Sequence, residues 1–410
     1  MNSRTEELIP HLFRTEYSKI AAVLGRAFGL AQLNAAEDIA SETFLAALET
    51  WSFKGVPENP TAWLYAVAKN KARNYLKRTD LFNHRIAPEI DHVGPRSREP
   101  VLDLSDQNIT DSQLQMLFAV CHPSISTESQ IGLALRILCG FGIEEIADAF
   151  LISKETINKR LFRAKEKLRR EKVEIELPGE AEIAPRLEVV LTTLYLLFNE
   201  GYYSESQAAV VRVELCTEAM RLTCLLLNNE QTNKPSVSAL LALMCFHSSR
   251  FRARKTEGNE SILYEDQDET LWDRTLIAQG AEYLHQASRG DEVSKYHLEA
   301  GIAYWHTIKE DSKEKWSNIL QLHDHLLLIE YSPIAALNRA FALAKVHGNA
   351  AAIVEAEKLN LANNHYYFTL LGELYREADI AKAKLNFERA LSLAKTPTDR
   401  NTIQAKLDRL

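Results

Sequence analysis

Hydrophobic residues recur every three to four positions along most of the chain, and this spacing predicts α-helices. Between positions 34 and 51 they would form one buried helix face, made of Ala36, Ala40, Phe44, Ala47 and Trp51. Alternating runs of β-branched residues, which would indicate strands, are too short to build a sheet. The pattern therefore predicts an all-α fold.

Two stretches lose the helical period and divide the chain. Residues 81–111 contain three prolines and an excess of acidic residues, and residues 173–185 include the run "ELPGEAEIAP". We interpret both as linkers. The predicted domains are two small helical domains, 1–80 and 112–172, and a larger all-helical domain, 186–410.

A two-helix motif is predicted within 143–170. The apolar stripe of "GIEEIADAF" is followed by the short break "LIS" and by a second stripe, a length that suits a helix-turn-helix. Ser153 is a favourable N-cap for the second helix. The second stripe consists of Ile157, Leu161, Ala164 and Leu168.

The second helix of this motif is strongly basic, with nine Lys and Arg against three Glu between Ser153 and Lys172. A recognition helix meets base edges with its N-terminal half and phosphates with flanking cations. Lys165 and Lys167 are candidate phosphate contacts. A solvated surface helix is the alternative interpretation. The candidate DNA-reading residues are Lys154, Glu155, Thr156, Asn158, Lys159, Arg160 and Arg163.

An earlier segment, "AWLYAVAKNKARNYLKR", predicts a second basic helix, for which Thr61 could serve as N-cap. Asn side chains beside cations suit a surface that holds phosphates and unstacked bases. Trp63, at the helix start, could join that surface or the core. The candidate residues on the polar face are Lys69, Asn70, Arg73, Asn74 and Lys77. Upstream, Asp38 and Glu42 place like charges one turn apart, a small cost that a basic partner surface could offset.

Composition supports separate roles for the two ends of the chain. Residues 1–175 carry 23 basic and 23 acidic residues, so the net charge of −8 belongs to the remainder. Five scattered cysteines indicate free thiols in a reducing compartment, and the absence of a signal peptide or a long apolar span indicates a cytoplasmic protein without membrane contact. No cofactor or metal site is indicated.

Residues of about 10–172 resemble the extracytoplasmic-function (ECF) sigma factors of bacterial RNA polymerase. "AEDIASETFLAAL" with "NPTAWLYAVAKNKARNYLKR" is similar to sigma region 2, and "GIEEIADAFLISKETINKRLFRAKEKLR" is similar to region 4. The resemblance implies that region 4 reads the −35 promoter element and that Trp63 to Arg78 line the −10 element. It also implies that the loop "WSFKGVPEN", with Phe53, Lys54 and Asn59, captures a flipped −10 base.

The same resemblance implies binding partners. Core RNA polymerase would be contacted through the clamp helices of its β′ subunit and through its flap, with Asp38 and Glu42 on the helix that meets the clamp. Promoter DNA would be the second partner. An intramolecular contact between the C-terminal domain and the sigma domains is a further expectation, and the apolar run Leu194 to Tyr203 is the predicted contact segment.

The C-terminal half resembles the sigma group that carries a TPR-like extension, on "LYLLFNEGYY", "LYEDQDETLWD" and "SPIAALNRAFALAKVHGN". Its last helical pair has small and aromatic residues at TPR-like positions, namely Gly372, Tyr375, Ala383, Phe387 and Ala390. Acidic and His residues occur here, but without a catalytic spacing, so an enzyme is not predicted.

The sequence thus predicts a bacterial sigma factor that directs promoter-specific transcription initiation and is regulated in cis by its C-terminal domain. Two alternatives remain. One is a stand-alone helix-turn-helix regulator whose helical domain senses a signal. The other is a TPR scaffold with an incidental basic helix.

Overall fold

A computed structural model describes residues 3–86, 102–203, 209–254, 262 and 264–410. These residues form eighteen α-helices and no β-strand, which confirms the predicted all-α class. The chain divides into two compact units, unit 1 (Met1–Thr232) and unit 2 (Asn233–Leu410).

Unit 1 begins with three helices around one apolar core. They are α1 (Ser3–Phe28), α2 (Leu33–Lys54) and α3 (Pro60–Ile86). The predicted buried face of α2, from Ala36 to Trp51, is confirmed, with every member at most 3% exposed. The predicted cap of α3 was wrong. Asn59 rather than Thr61 caps this helix, since its Oδ1 accepts a hydrogen bond from the Ala62 amide at 3.0 Å. Pro60 then occupies the first helical position, where proline is favoured.

The next four helices of unit 1 form the helix-turn-helix region. They are α4 (Asp106–Val120), α5 (Thr127–Leu133), α6 (Ile143–Ala149) and α7 (Lys154–Arg170), with a π-helical segment at Ala134–Leu138 directly after α5. α1 packs against α4 and against the π-helical segment, and α7 packs against α5 and α6.

Two further helices pack within unit 1. α8 (Glu180–Tyr203) packs on α4 and α5, and α9 (Ala209–Leu227) packs on α8, α4 and α6. Helices also enter both predicted linkers, because α3 runs to Ile86 and α8 begins at Glu180. Residues 87–101 of the first linker lie outside the described residues. The predicted domain boundaries stay a prediction, and the two compact units differ from them because α8 and α9 pack with the preceding helices.

Unit 2 is a succession of helices, each of which packs against the next one along the chain. Its helices are α10 (Pro235–Ser248), α11 (Arg274–Ala287), α12 (Lys295–Trp305), α13 (Lys313–Ile329), α14 (Pro333–His347), α15 (Asn349–Lys358), α16 (His365–Tyr375), α17 (Ile380–Leu393) and α18 (Pro397–Leu407). In the α16–α17 pair a Cβ at Gly372 would lie 2.7 Å from the Phe387 ring, so only glycine permits this close packing. The TPR-like character of this pair stays a prediction.

Two further observations bear on chemistry. All five cysteines are free, and all but Cys224 are buried. Among the residues that the structure describes, every helix is too short or too polar to span a bilayer. In the same residues, no group of three or more His, Cys, Asp or Glu side chains could hold a metal ion.

Candidate nucleic-acid interface

The helix-turn-helix is fixed by local hydrogen bonds at the start of each helix. At α6 the Gly142 amide donates to Glu145 Oε2 at 2.7 Å. The connection to α7 turns at Leu151, whose φ of 52° is left-handed. Ser153 then caps α7, since its Oγ accepts a hydrogen bond from the Thr156 amide at 3.2 Å. The predicted cap is confirmed.

The inner face of α7 is the predicted stripe, and its four members are at most 4% exposed. Burial of this stripe turns the polar side outward and brings the seven candidate −35 residues onto one surface. Lys154, Glu155, Thr156, Asn158, Lys159 and Arg163 are exposed. Arg160, the seventh, is half-buried. Their contact with DNA stays a prediction.

A shallow groove runs between the start of α5 and the outer face of α7. It is lined on one side by Ser126 and Glu128 and on the other by Lys159, Arg163 and Lys167. Hydrogen bonds from its own amide and from Ser126, and then the charge of Arg160, lower the pKa of the Glu128 carboxyl. With Arg160, the groove thus places four cations around the Glu128 carboxylate.

Two side chains of α7 differ from the sequence-based expectation. Lys165, expected to hold phosphate, instead pairs with Glu37 of α2 and donates to Asn34 Oδ1 at 3.0 Å. Phe162 was not predicted as a functional residue, yet it is 64% exposed among the basic residues of α7. The sequence already indicated that Phe162 is exposed, because the residue lies outside the apolar stripe of α7.

The polar face of α3 carries the candidate −10 residues. Asn70, Arg73, Asn74 and Lys77 are exposed, and Lys69 is half-buried. Leu64, Ala68 and Ala72 form the buried side. The sequence left the role of Trp63 open. In the structure its half-buried ring packs edge-on against Trp51, with ring centroids 5.3 Å apart.

The remaining candidates were expected in one loop, but Phe53 and Lys54 lie in the last turn of α2, and only Asn59 lies in the loop between α2 and α3. Phe53 is 91% exposed, and Lys54 and Asn59 are also exposed. Gly55 has a φ of 82° and redirects the chain after α2. The Asn59 side chain already accepts the hydrogen bond that caps α3, so its Oδ1 is engaged with the protein itself.

The exposed side of α2 carries the candidate polymerase contacts. Asp38 and Glu42 are exposed, and Glu42 pairs with Lys71 of α3 at 2.8 Å. Leu45 and Leu48, which were not predicted, are 57% and 40% exposed directly after them. Together they form an acidic and apolar strip along α2. The signal for the two leucines was their position outside the buried stripe.

Helices α8 and α9 contact the helix-turn-helix region through arginine side chains. Arg186 donates to the Phe118 carbonyl oxygen, and Arg221 donates to the Leu138 carbonyl oxygen, each at 2.6 Å. A buried hydrogen bond of 2.9 Å joins Thr193 Oγ1 to Gln130 Oε1.

Arg14 of α1 links three elements. Its guanidinium pairs with Glu145 of α6 at 2.6 Å and with Glu214 of α9 at 3.0 Å. It also lies 4.7 Å from the centre of the Phe141 ring. α1, α6 and α9 therefore meet at one side chain.

Comparison with known proteins agrees with this geometry. Residues 12–81 match sigma-70 region 2, and residues 67–174 match the ECF sigma factor family. Residues 186–288 match a family of unknown function, DUF6596.

Two relatives extend the comparison. The chain is 34% identical over 386 residues to an uncharacterized protein of Rhizobium meliloti (strain 1021), which covers 92% of this chain and 90% of that protein. It is 29% identical over 156 residues to the ECF RNA polymerase sigma-E factor of Haemophilus influenzae, covering 36% of this chain and 79% of that factor. No solved structure matches.

An all-α unit whose helix-turn-helix presents a basic face is typical of DNA-binding proteins. Over residues 12–174 the chain belongs to the ECF-type factors of the sigma-70 family. Its role is therefore that of a sigma factor in transcription initiation, and membership of this family implies binding to core RNA polymerase and to promoter DNA.

Proposed function

We propose that this sigma factor selects promoters by binding alone, without bond chemistry, and that α7 reads the −35 element. The observation that carries the proposal is the outer face of α7. Ser153 fixes the start of the helix, so that Asn158 and Arg160 project near its N-terminal end with Lys159 and Arg163 beside them. Amide and guanidinium groups discriminate bases, and the flanking cations neutralise phosphates.

The −10 element would be held by α3 and by the loop before it. The exposed cations and asparagines of α3 offer contacts to the backbone and to unstacked bases. Phe53, in the last turn of α2, supports capture of a flipped base beside the loop, because an aromatic ring that is 91% exposed contributes little to the core and is free to stack.

Core polymerase would dock on the strip of α2 that contains Asp38, Glu42, Leu45 and Leu48. Exposed leucines beside carboxylates suit a partner helix pair with an apolar centre and basic edges, since apolar burial supplies affinity and charge supplies orientation. We assign this strip to the clamp helices of the β′ subunit. The flap is the second proposed contact.

Regulation in cis would come from α8 and α9. Their arginines satisfy carbonyl groups at the ends of α4 and of the π-helical segment, and Thr193 satisfies Gln130. These bonds support a bracing role, in which the extension holds the DNA-reading region in shape. Masking of the basic faces is the alternative role of the extension.

Run-off transcription tests the proposed function. Purified core polymerase is supplied with a promoter template, with and without the full-length protein. A sigma factor yields a defined transcript only when both proteins are present. A stand-alone regulator would bind the template tightly without polymerase and yield no transcript. A scaffold would do neither.

Two truncations test the bracing role. One ends after Lys172 and removes α8 and α9, and the other ends after Thr232 and keeps them. Bracing predicts that the shorter protein loses transcription while the longer one retains substantially more. Masking predicts that the shorter protein transcribes more than the full-length protein. Equal transcription by the full-length protein and both truncated proteins would contradict regulation in cis.

A further inference from the structure

Two buried cations of unit 2 lie against one tyrosine ring. Arg250, two residues after α10, is 8% exposed, and Lys315, in the first turn of α13, is 1% exposed. The Arg250 guanidinium carbon lies 5.5 Å and the Lys315 nitrogen 5.0 Å from the centre of the Tyr264 ring. The Lys315 ammonium donates to the Ile308 carbonyl oxygen at 2.6 Å and to Tyr264 Oη at 3.0 Å. Neutral oxygens therefore solvate Lys315, but they do not neutralise the two positive charges.

Arg250 lacks the hydrogen-bond partners that Lys315 has. Its Nε is enclosed and makes no hydrogen bond, and within the described ranges of the chain its guanidinium forms no ion pair. Two other enclosed atoms also lack a hydrogen bond, Trp272 Nε1 and Gln267 Oε1, in side chains that are 3% and 4% exposed. Buried polar atoms are nearly always bonded, so an exception requires an explanation such as a bound ion or an ordered water.

Trp272 and Gln267 lie beside the same tyrosine. The Trp272 ring stacks with the Tyr264 ring, with centres 6.2 Å apart, and the Gln267 amide donates to the Tyr264 carbonyl oxygen at 3.3 Å. The main chain also joins Trp272 to Arg250, because the Asp273 amide donates to the carbonyl oxygen of the residue before Arg250 at 2.8 Å. The three atoms without a hydrogen bond thus belong to side chains that are grouped around Tyr264.

A histidine beside this group carries no charge at neutral pH. His306 meets the Tyr264 ring edge-on, with ring centres 5.3 Å apart. Burial, and then the charges of Arg250 and Lys315, lower the pKa of His306 to about 3. The side chains around Tyr264 therefore present two positive charges and a neutral imidazole at pH 7.

The carboxylates whose charges act on this group are engaged elsewhere or exposed. Asp311 pairs with Lys345 at 3.0 Å, and its other oxygen accepts a hydrogen bond from the Trp316 indole. Glu269 is exposed, so water and salt screen its charge. In the part of the chain that the structure describes, no carboxylate pairs with Arg250. The protein itself therefore leaves the positive charge of Arg250 uncompensated.

We propose that Arg250, Trp272 and Gln267 form a binding site in unit 2 for a small oxyanion that carries a hydroxyl group, either a phosphate or a hydroxycarboxylate. The planar fork of Arg250 donates to two oxygens of either group, and the Trp272 indole is a further donor. Gln267 Oε1 accepts a hydrogen bond from the hydroxyl of the ligand. Lys315 adds attraction without direct contact, because its charge acts through a buried environment. The site is independent of promoter reading, since all of its residues lie in unit 2.

Hydrogen exchange of the full-length protein tests the site, because it resolves unit 2 from the basic helix-turn-helix, which also attracts anions. The probes are inorganic phosphate and glycolate at about 10 mM, which is ten times a weak dissociation constant of about 1 mM. Each is compared with chloride at equal ionic strength. A ligand at ten times its dissociation constant slows exchange through opening of its site about tenfold. We expect that slowing in residues 264–273 and 306–316.

The two probes distinguish the two classes of ligand. Slowing by phosphate alone assigns the site to phosphates, and slowing by glycolate alone assigns it to hydroxycarboxylates. Slowing by both shows that the oxyanion and its hydroxyl are sufficient for recognition. A guanidinium that only packs on the Tyr264 ring, or that binds water, would leave exchange in these segments unchanged by either probe, and that result would overturn the proposal.

Two variants locate the effect. Arg250→Gln removes the guanidinium and keeps a polar side chain, and it should abolish the slowing. Arg252→Gln is the matched control, because this arginine is exposed two positions further on, and it should retain the slowing. Equal slowing in the two variants would overturn the assignment to Arg250.

A conservative variant keeps the test decisive if Arg250→Gln does not fold, as judged by circular dichroism. Arg250→Lys retains the charge and loses the fork. Loss of one hydrogen bond to a charged group weakens binding roughly tenfold, which would reduce the slowing to about twofold. Full slowing in Arg250→Lys and in the control alike would show that the fork does not hold the anion.

Discussion

Arg221 of α9 donates a 2.6 Å hydrogen bond to the carbonyl oxygen of Leu138, the last residue of the π-helical segment. Carbonyl groups at the end of a helix have no partner within it, and a cation there also opposes the negative end of the helix dipole. In the same way, Arg186 of α8 donates a hydrogen bond to the carbonyl oxygen of Phe118, in the last turn of α4. The helices that follow the helix-turn-helix region thus donate hydrogen bonds to carbonyl groups of that region that have no partner within their own helix.

Removal of the Arg221 guanidinium should therefore weaken unit 1. We expect Arg221→Ala to lower the free energy of unfolding by roughly 1–3 kcal/mol, because a buried carbonyl group loses its donor. Denaturant unfolding of the full chain measures the loss, and faster hydrogen exchange in the π-helical segment locates it. Arg289→Ala, at an exposed position of unit 2, is the control. Equal stability of the two variants would contradict the capping role.

Charge reversal on α2 should abolish polymerase binding. Asp38→Arg combined with Glu42→Arg places two cations on the proposed docking strip and also disrupts the pair with Lys71. We expect the variant to keep its helical circular dichroism and to lose co-purification with core polymerase. The same reversal at Asp291 and Glu292, two exposed neighbours in unit 2, should leave binding intact. Retained binding of the α2 variant at moderate salt would remove the strip from the interface.

Lys167, which lines the groove beside α5, should contribute to DNA affinity without contributing to specificity. Each neutralised phosphate releases counterions, so Lys167→Ala should weaken binding on every sequence and reduce the slope of log affinity against log salt by about 1. Titrations at three salt concentrations measure this slope. A loss confined to one −35 sequence would instead assign Lys167 to base reading.

Two histidines, the buried His323 and the half-buried His306, should make unit 2 sensitive to acid. Burial, and then the charges of Arg250 and Lys315, lower the pKa of His306 to about 3. Burial lowers the pKa of His323 to about 4. In the unfolded chain both pKa values return to about 6.5, so below that pH the unfolded state binds protons that the folded state does not. Stability therefore falls as the pH falls, by roughly 2–4 kcal/mol between pH 7 and pH 5 for the pair.

Replacement of both histidines tests whether they cause the loss of stability at low pH. His306→Gln combined with His323→Gln should flatten the pH dependence of hydrogen exchange in α12 and α13 between pH 7 and pH 5, whatever its effect on stability at pH 7. His285→Gln, at an exposed position, should leave the slope unchanged. An unaltered slope in the double variant would place the acid sensitivity elsewhere.

The sequence predicted the features that depend on local spacing. The buried stripe of α7 and its Ser153 cap were correct because helical period and capping act within a few residues. The cap of α3 was wrong because Asn59 and Thr61 are both acceptable caps, and Pro60 selects the earlier one. Local rules determine where a helix exists better than where it begins.

The long-range contacts could not be predicted. Lys165 and Glu37 are 128 positions apart, and a basic residue on a basic helix gives no sign of which distant carboxylate it meets. The arginines of α8 and α9 bind main-chain oxygens, which every residue carries, so sequence pattern cannot identify the partner. The exposed Leu45, Leu48 and Phe162 were visible as departures from the apolar stripe, and such departures indicate a surface without identifying what covers it.

Mapping of transcript 5′ ends tests the central claim most directly. Core polymerase transcribes fragmented genomic DNA of the source organism, alone, with the wild-type protein and with Asn158→Ala or Arg160→Ala. The account predicts new start sites only with the wild-type protein, preceded by shared −10 and −35 elements. In the two variants the −35 preference should relax at one position, by roughly 1–3 kcal/mol. Start sites that do not depend on the protein, or a −35 preference unchanged in both variants, would contradict it.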